Sequence, residues 1–203
     1  MIYILDYGMG NLKSVLNAFL YSNVTAQLTD RVEDLKHADK LVVPGVGAFA
    51  NAMAELRKKN FVEGILEFIK TGKYYLGICL GMHILFDKSF EFGETKGLAL
   101  LKGEITSFTK GLAKKGYKVP HMGWNAVNIT KKSEIFKGVP DRSYFYFDHS
   151  YASFEINENT AGMCNHGKMF NAVTIKDNLI GVQFHPEKSG IKGLKMIMNF
   201  SAL

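Results

Sequence analysis

Gly77-Ile78-Cys79-Leu80-Gly81 stands directly after the apolar run Lys73-Tyr74-Tyr75-Leu76. A G-x-C-x-G spacing at that place suits a sharp strand-to-helix turn that pushes the central side chain out of a sheet. The flanking glycines let the backbone take the turn without a Cβ clash. Such an elbow needs a strand behind it and a helix ahead of it, so it commits the chain to an α/β sandwich. The following apolar segment, 82–86, is expected to be that helix. A thiol at a helix N-terminus is favoured as thiolate, so Cys79 reads as a nucleophile.

The rest of the pattern agrees. Strands are expected over 1–6, 24–28, 40–43 and 74–78. Helices are expected through Val15, Leu16, Phe19 and Leu20, briefly over 32–35, and over 49–68 with a break near Asn60. Strands alternating with helices imply a mainly parallel sheet covered on both faces. From about Lys102 the pattern changes to short alternating runs at 105–108, 124–129, 144–147, 172–175 and 180–184. Asp177-Asn178 is a hairpin turn between the last two. Helical spacing returns after Gly190. With 203 residues and no linker, repeat or low-complexity stretch, the chain reads as one domain, 1–203.

Composition excludes several classes of function. No apolar run approaches the roughly 20 residues that span a bilayer. The N-terminus reads as a first strand rather than a signal peptide. Cys79 and Cys164 are far apart and form no C-x-x-C, which argues against a disulfide framework or a zinc site and for a reducing cytoplasm. The net charge of +6 is spread over short pairs such as Lys114-Lys115 and Lys131-Lys132. Without a basic stripe interleaved with aromatics, it reads as a solvated surface and not as a nucleic-acid site.

A thiolate nucleophile needs a base, a group to orient that base, and an oxyanion site. Gln183-Phe184-His185-Pro186-Glu187-Lys188 offers the first two. His185 follows an apolar strand, where the active sites of open α/β sheets gather. Glu187, held two residues on by Pro186, can accept a proton from one imidazole nitrogen while the other faces the thiol. An isolated H-P-E more often just ends a strand; beside an elbow cysteine the balance reverses. Pro44-Gly45-Val46-Gly47-Ala48-Phe49 follows the strand expected next to the elbow strand, and its glycines free backbone amides to point at a developing negative charge.

These residues bring the chain close to a known family. It resembles the class I (triad-type) glutamine amidotransferases, and within them the HisH family, the glutaminase subunit of imidazole glycerol phosphate synthase. The matching stretches run nearly end to end: Asp6-Tyr7-Gly8-Met9-Gly10-Asn11, Pro44-Gly45-Val46-Gly47, Gly77-Ile78-Cys79-Leu80-Gly81-Met82, His121-Met122-Gly123-Trp124-Asn125, His149-Ser150-Tyr151, and Gln183 through Gly190. The first and fourth separate this family from other class I amidotransferases. The resemblance implies a flavodoxin-like three-layer fold with a central mainly parallel sheet and a strand-rich second half, working without cofactor or metal. It implies that Cys79 attacks the side-chain amide carbon of glutamine, that His185 protonates the leaving nitrogen, and that Glu187 stabilises the imidazolium. Water then hydrolyses the thioester to glutamate. The oxyanion falls to the amides of Leu80 and, after a peptide flip, of the loop Gly45, Val46 and Gly47. Substrate contacts fall to Glu91, His149, Ser150 and Tyr151.

The same resemblance implies a (β/α)8-barrel cyclase partner of the HisF family, reached through Asn11, Trp124 and Lys188. That partner would use the ammonia to make imidazole glycerol phosphate and an aminoimidazole nucleotide on the histidine route. It also implies that the isolated subunit is nearly idle. Two positions depart from the pattern. His83 stands where the family carries a substrate-touching glutamine, and Asp148 where it carries an apolar residue. The departures leave room for a paralogue feeding ammonia to the amidination of a surface sugar. A non-catalytic scaffold should have lost a triad member, and all three are present.

Overall fold

A computed structural model describes residues 1–108 and 116–203; the Lys114-Lys115 pair lies outside the described residues. Nine strands form the central sheet in the order β2-β1-β3-β4-β13-β12-β11-β8-β9. β1 (Ile2–Leu5), β2 (Ala26–Thr29), β3 (Lys40–Gly45), β4 (Tyr74–Cys79) and β13 (Leu179–Val182) pair in parallel. β12 (Met169–Lys176), β11 (Thr160–Asn165), β8 (His121–Ile129) and β9 (Ser143–His149) extend the sheet in antiparallel fashion. The sheet is therefore mixed, with its parallel part on the elbow side. β13 joins the two parts. The hairpin at Asp177 and Asn178 returns the chain from β12 and lays β13 against β4.

The period-2 alternation sorts the parallel strands between two cores. Ile2, Ile4, Val42, Leu76 and Ile78 face α1 (Leu12–Tyr21) and the C-terminal α5 (Gly190–Ala202), where Val15, Phe19, Ile197 and Phe200 are buried. Leu5, Leu41, Val43 and Tyr75 face α2 (Phe49–Lys58) and α3 (Phe61–Lys70), with Leu56, Phe61 and Ile65. Each such side chain, fully buried, contributes roughly 1.5–3 kcal/mol relative to exposure. Asn60 breaks α2 from α3 in a left-handed conformation, which asparagine tolerates better than most residues.

A second sheet runs in the order β10-β7-β5-β6. It comprises β10 (Tyr151–Ser153), β7 (Leu101–Ser107), β5 (Phe86–Ser89) and β6 (Thr95–Lys96). Phe86, Leu101 and Ile105 add it to the α2–α3 core. Here the structure departs from the expected helix over 82–86. The helix after the elbow, α4 (Leu80–His83), is a single turn, and the chain enters β5 at Phe86. The reason is local. The Tyr75 hydroxyl donates to the Gly81 carbonyl at 2.8 Å, the acceptor that the Leu85 amide would need to continue an α-helix. The Leu85 N–H bonds Met82 instead, a tighter closing turn.

Candidate active site

The C-terminal ends of β3, β4 and β13 meet at Cys79. It is the last residue of β4, paired with Gly45 of β3, and it adopts φ 54° and ψ −106°. A non-glycine residue held there stores strain. The neighbours make the conformation possible by close approach. A Cβ on Gly81 would collide with the Val43 carbonyl, one on Gly77 with the Gly81 carbonyl, and one on Gly45 with the Tyr7 hydroxyl. The two oxyanion-loop glycines thus differ from the common role expected of them. Gly45 is fixed in the strand as a packing requirement, and Gly47, with φ +101°, carries the conformational freedom.

His185 follows β13 and is clamped at both backbone ends. Its N–H donates to the Tyr146 carbonyl at 2.9 Å, and its carbonyl accepts from the Ser189 hydroxyl at 2.6 Å. His185 Nδ1 lies 2.8 Å from Glu187 Oε1, and both side chains are within 3% of full burial. A carboxylate can only accept, so Nδ1 carries the proton and Nε2 is left for another partner. Nε2 makes no hydrogen bond of ordinary geometry, but the Cys79 thiol is near enough to bias its protonation. Burial lowers the proton affinity of His185; Cys79 and Glu187 more than offset this and raise its pKa to about 10. The thiol, the imidazole and the carboxylate are thus together, and the imidazole favours its charged form.

In front of Cys79 lies a cleft of about 390 Å³. Val46, Gly47 and Leu80 line its near side, with His83 at the side of the thiol. Asp148, His149, Ser150 and Tyr151 come from the end of β9 and the start of β10 on the far side. Asp148 lines the cleft and is half-buried. Glu91 closes another side. Its Oε2 accepts the Phe49 N–H at 2.7 Å, supplying the first turn of α2 with the acceptor that Ala48 lacks.

Behind the far wall runs a row of aromatic nitrogens. Asn125 Nδ2 sits 3.1 Å from His121 Nε2, His121 Nδ1 3.0 Å from His149 Nε2, and His149 Nδ1 2.9 Å from the Tyr151 carbonyl. The terminal carbonyl must accept, which fixes His149 as the Nδ1–H tautomer and His121 likewise. Burial, with the neighbouring imidazoles, lowers His121 to about 3 and His149 well below its ordinary value. Burial also lowers His83 to about 4, against a smaller upward pull from Gln183.

The three expected interface residues lie outside the cleft. Trp124 of β8 is 54% exposed, stands edge-on to Tyr146, and is not a core residue. Lys188 Nζ lies 5.6 Å over the same Tyr146 ring. Asn11 is exposed and caps α1, its Oδ1 accepting from the Ser14 N–H at 3.3 Å. Cys164 is fully buried in β11, where desolvation raises its thiol pKa to about 12. Among the described residues no cluster could hold a metal ion. One residue at the site went unassigned from sequence. Gln183, fully buried, points its amide nitrogen at Cys79 Sγ from 3.7 Å. A single amide at the end of an otherwise apolar buried strand was the available signal.

The chain is similar over nearly its whole length to known proteins. The family described as glutamine amidotransferase class-I matches residues 3–202. The imidazole glycerol phosphate synthase subunit HisH of Wolinella succinogenes is 45% identical over 201 residues, covering 98% of each chain. That of Desulfitobacterium hafniense is 44% identical over 98% of this chain and 93% of its own. Among solved structures, one described as a glutamine amidotransferase superposes with a TM-score of 0.76 at 14% identity, covering 100% of this chain and 99% of that one. A chain of PurLQS from Thermotoga maritima superposes with a TM-score of 0.73 at 15% identity, covering 98% and 96%. The structural likenesses speak for the fold and the sequence matches for the family: the chain belongs to the class I glutamine amidotransferases and, among them, to the HisH family.

Proposed function

We propose that Cys79, His185 and Glu187 work as one catalytic unit on the side-chain amide of glutamine. The function is that of the glutaminase subunit of imidazole glycerol phosphate synthase: glutamine goes to glutamate and ammonia, and the ammonia serves a partner subunit. The observation that carries the residue assignment is the His185–Glu187 pair at 2.8 Å, with Nε2 unpartnered beside a thiol on a strained elbow. Cys79 Sγ adds to the amide carbon, and the oxyanion is received by the Leu80 amide and by the Gly45-Val46-Gly47 loop once a peptide of that loop turns. His185 Nε2–H passes its proton to the leaving nitrogen, and ammonia departs. His185, now neutral, takes a proton from water, which hydrolyses the thioester. Glu187 holds the Nδ1–H throughout.

Glu91 and the His149-Ser150-Tyr151 segment bind the amino-acid end of the substrate, Glu91 by charge and the segment by extended backbone. The partner is a (β/α)8-barrel cyclase of the HisF family, seated on the face that carries Trp124 and Lys188, with Asn11 at its margin. It converts the ammonia and a nucleotide precursor into imidazole glycerol phosphate and an aminoimidazole nucleotide, in the cytoplasm. The exposed, aligned apolar residues Met122, Trp124 and Tyr144 on β8 and β9 support that face, since an aromatic-rich exposed patch marks an interface.

The test is glutamine hydrolysis by the chain alone and with the cyclase and its nucleotide ligand. The expected result is slow hydrolysis alone and a steep rise in the complex. A fast rate that ignores the partner would remove the gated oxyanion loop from the mechanism.

A further inference from the structure

His83 lines the substrate cleft, yet its Nε2 does not point at the space a substrate would fill. It lies 2.6 Å from Gln183 Oε1. Gln183 is held on the other side: its backbone N–H donates to the Ala172 carbonyl at 2.9 Å, and its amide nitrogen faces Cys79 Sγ at 3.7 Å, a reach that suits the large sulfur atom. His83 and Gln183 are 5% and 0% exposed, so water does not compete for either amide end.

A buried amide between these two groups has two orientations, and they have opposite effects on the thiol. With the oxygen toward an Nε2–H imidazole, an N–H donor meets sulfur and favours the thiolate. With the amide reversed, a carbonyl oxygen meets sulfur and favours the thiol. An imidazole that carries its proton on Nε2 permits only the first. Burial keeps His83 neutral near neutral pH, so one ring nitrogen carries a proton and the other can only accept.

We propose that His83 is a positioning residue: its Nε2–H fixes the Gln183 amide so that the amide N–H donates to Cys79 Sγ and stabilises the thiolate before substrate arrives. The proposal rests on the reading of Cys79 as the nucleophile and deepens it. The other ionisable groups that face this thiol are Tyr7 from the end of β1 and His185 beyond β13. Glu91, Asp148 and His149 stand around the cleft, and His149 also faces His83. None of these bonds the Gln183 amide, so the donor at sulfur depends on His83.

The experiment is the rate of Cys79 alkylation by iodoacetamide across pH, read by mass spectrometry on the Cys79 peptide. Buried Cys164 serves as the internal comparison. His83→Phe and Gln183→Met are expected to alkylate about tenfold more slowly near neutral pH, with the midpoint moved up by about one pH unit. His83→Gln, whose amide offers both a donor and an acceptor at that place, is expected to fall between the wild type and His83→Phe. A wild-type midpoint in both His83→Phe and Gln183→Met would overturn the proposal.

A reading without any substitution stands beside it. Imidazole ¹⁵N spectra of the unaltered protein are expected to show His83 as the Nε2–H tautomer, and an Nδ1–H tautomer would overturn the proposal equally. The nucleophile reading fails separately, through glutaminase activity surviving in Cys79→Ser, a result that leaves the alkylation profile free to stand.

Discussion

Behind the two walls of one cleft stand histidines of opposite proton affinity, while His83, on the thiol side, shares the lowered affinity of the far wall. On the β4–β13 side, His185 sits against the Glu187 carboxylate and the Cys79 thiol and is raised to about 10. On the β8–β9 side, His121 and His149 are buried among rings and amides and are lowered, His121 to about 3. Both environments are dry. What separates them is the partner: at His185 the Cys79 sulfur and the Glu187 carboxylate together offset desolvation, whereas a second imidazole, an amide or a carbonyl does not. On the function proposed above, the same residue type gives one wall a proton to donate and the other a neutral support behind the His149-Ser150-Tyr151 segment.

The largest effect expected is at the thiol itself. Cys79→Ala should lower glutamine hydrolysis by about 10⁴-fold or more, while the complex still makes product from added ammonia; full glutaminase activity in this variant would remove the charged wall from the chemistry. Next is the carboxylate that creates the contrast. Glu187→Gln should lower the rate by about 10³-fold and move the alkaline limb of the pH profile down. The sign follows from linkage. A histidine raised in the folded state contributes stability fully present below its ordinary value of 6.5, lost as pH rises to about 10. Without Glu187 the loss should still begin near 6.5 but end at lower pH and be smaller, as pH-dependent denaturation would show.

The neutral histidines predict the opposite slope. His83 refuses in the fold a proton that the unfolded chain accepts between pH 6.5 and about 4. The unfolded state binds more protons there, so stability falls on acidification, by ~3 kcal/mol from His83. Urea unfolding of His83→Gln should be correspondingly flatter across that window; an unchanged slope would mean His83 titrates normally. The smallest effect expected is on the outer face. Trp124→Ala should weaken association with the cyclase about 30-fold while shifting unfolding by no more than about 0.5 kcal/mol, as binding and denaturation measurements together would show.

The charged wall was legible in the sequence and the neutral wall only partly. Cys79, His185 and Glu187 lie in short motifs whose spacing carries their chemistry. The elbow glycines, the β12–β13 hairpin at Asp177 and Asn178, and the helix break at Asn60 all appear where local backbone chemistry puts them. The small second sheet was not legible as a sheet. β6 has two residues, and β5 and β10 have four and three, too short for alternation to rise above chance. The apolar run 82–86 has helix-like composition, and only a tertiary contact, the Tyr75 hydroxyl on Gly81, cuts that helix short. Likewise the His121–His149 contact depends on the pairing of β8 with β9, and the Gln183–Cys79 contact crosses 104 residues of chain. Neither leaves a trace in local spacing.

The placement of β13 bears on the order in which the molecule is made. Cys79 ends β4 and His185 follows the adjacent β13, the last strand in chain order among the described residues, wedged between the parallel and antiparallel parts of the sheet. A nascent chain emerging from the ribosome can close the elbow around Cys79 early, whereas His185 is translated 106 residues later (185 minus 79). Contacts this distant also slow folding. On the function proposed above, the thiol waits, chemically incomplete, through synthesis, and fragments ending before the β12–β13 hairpin are expected not to cleave glutamine.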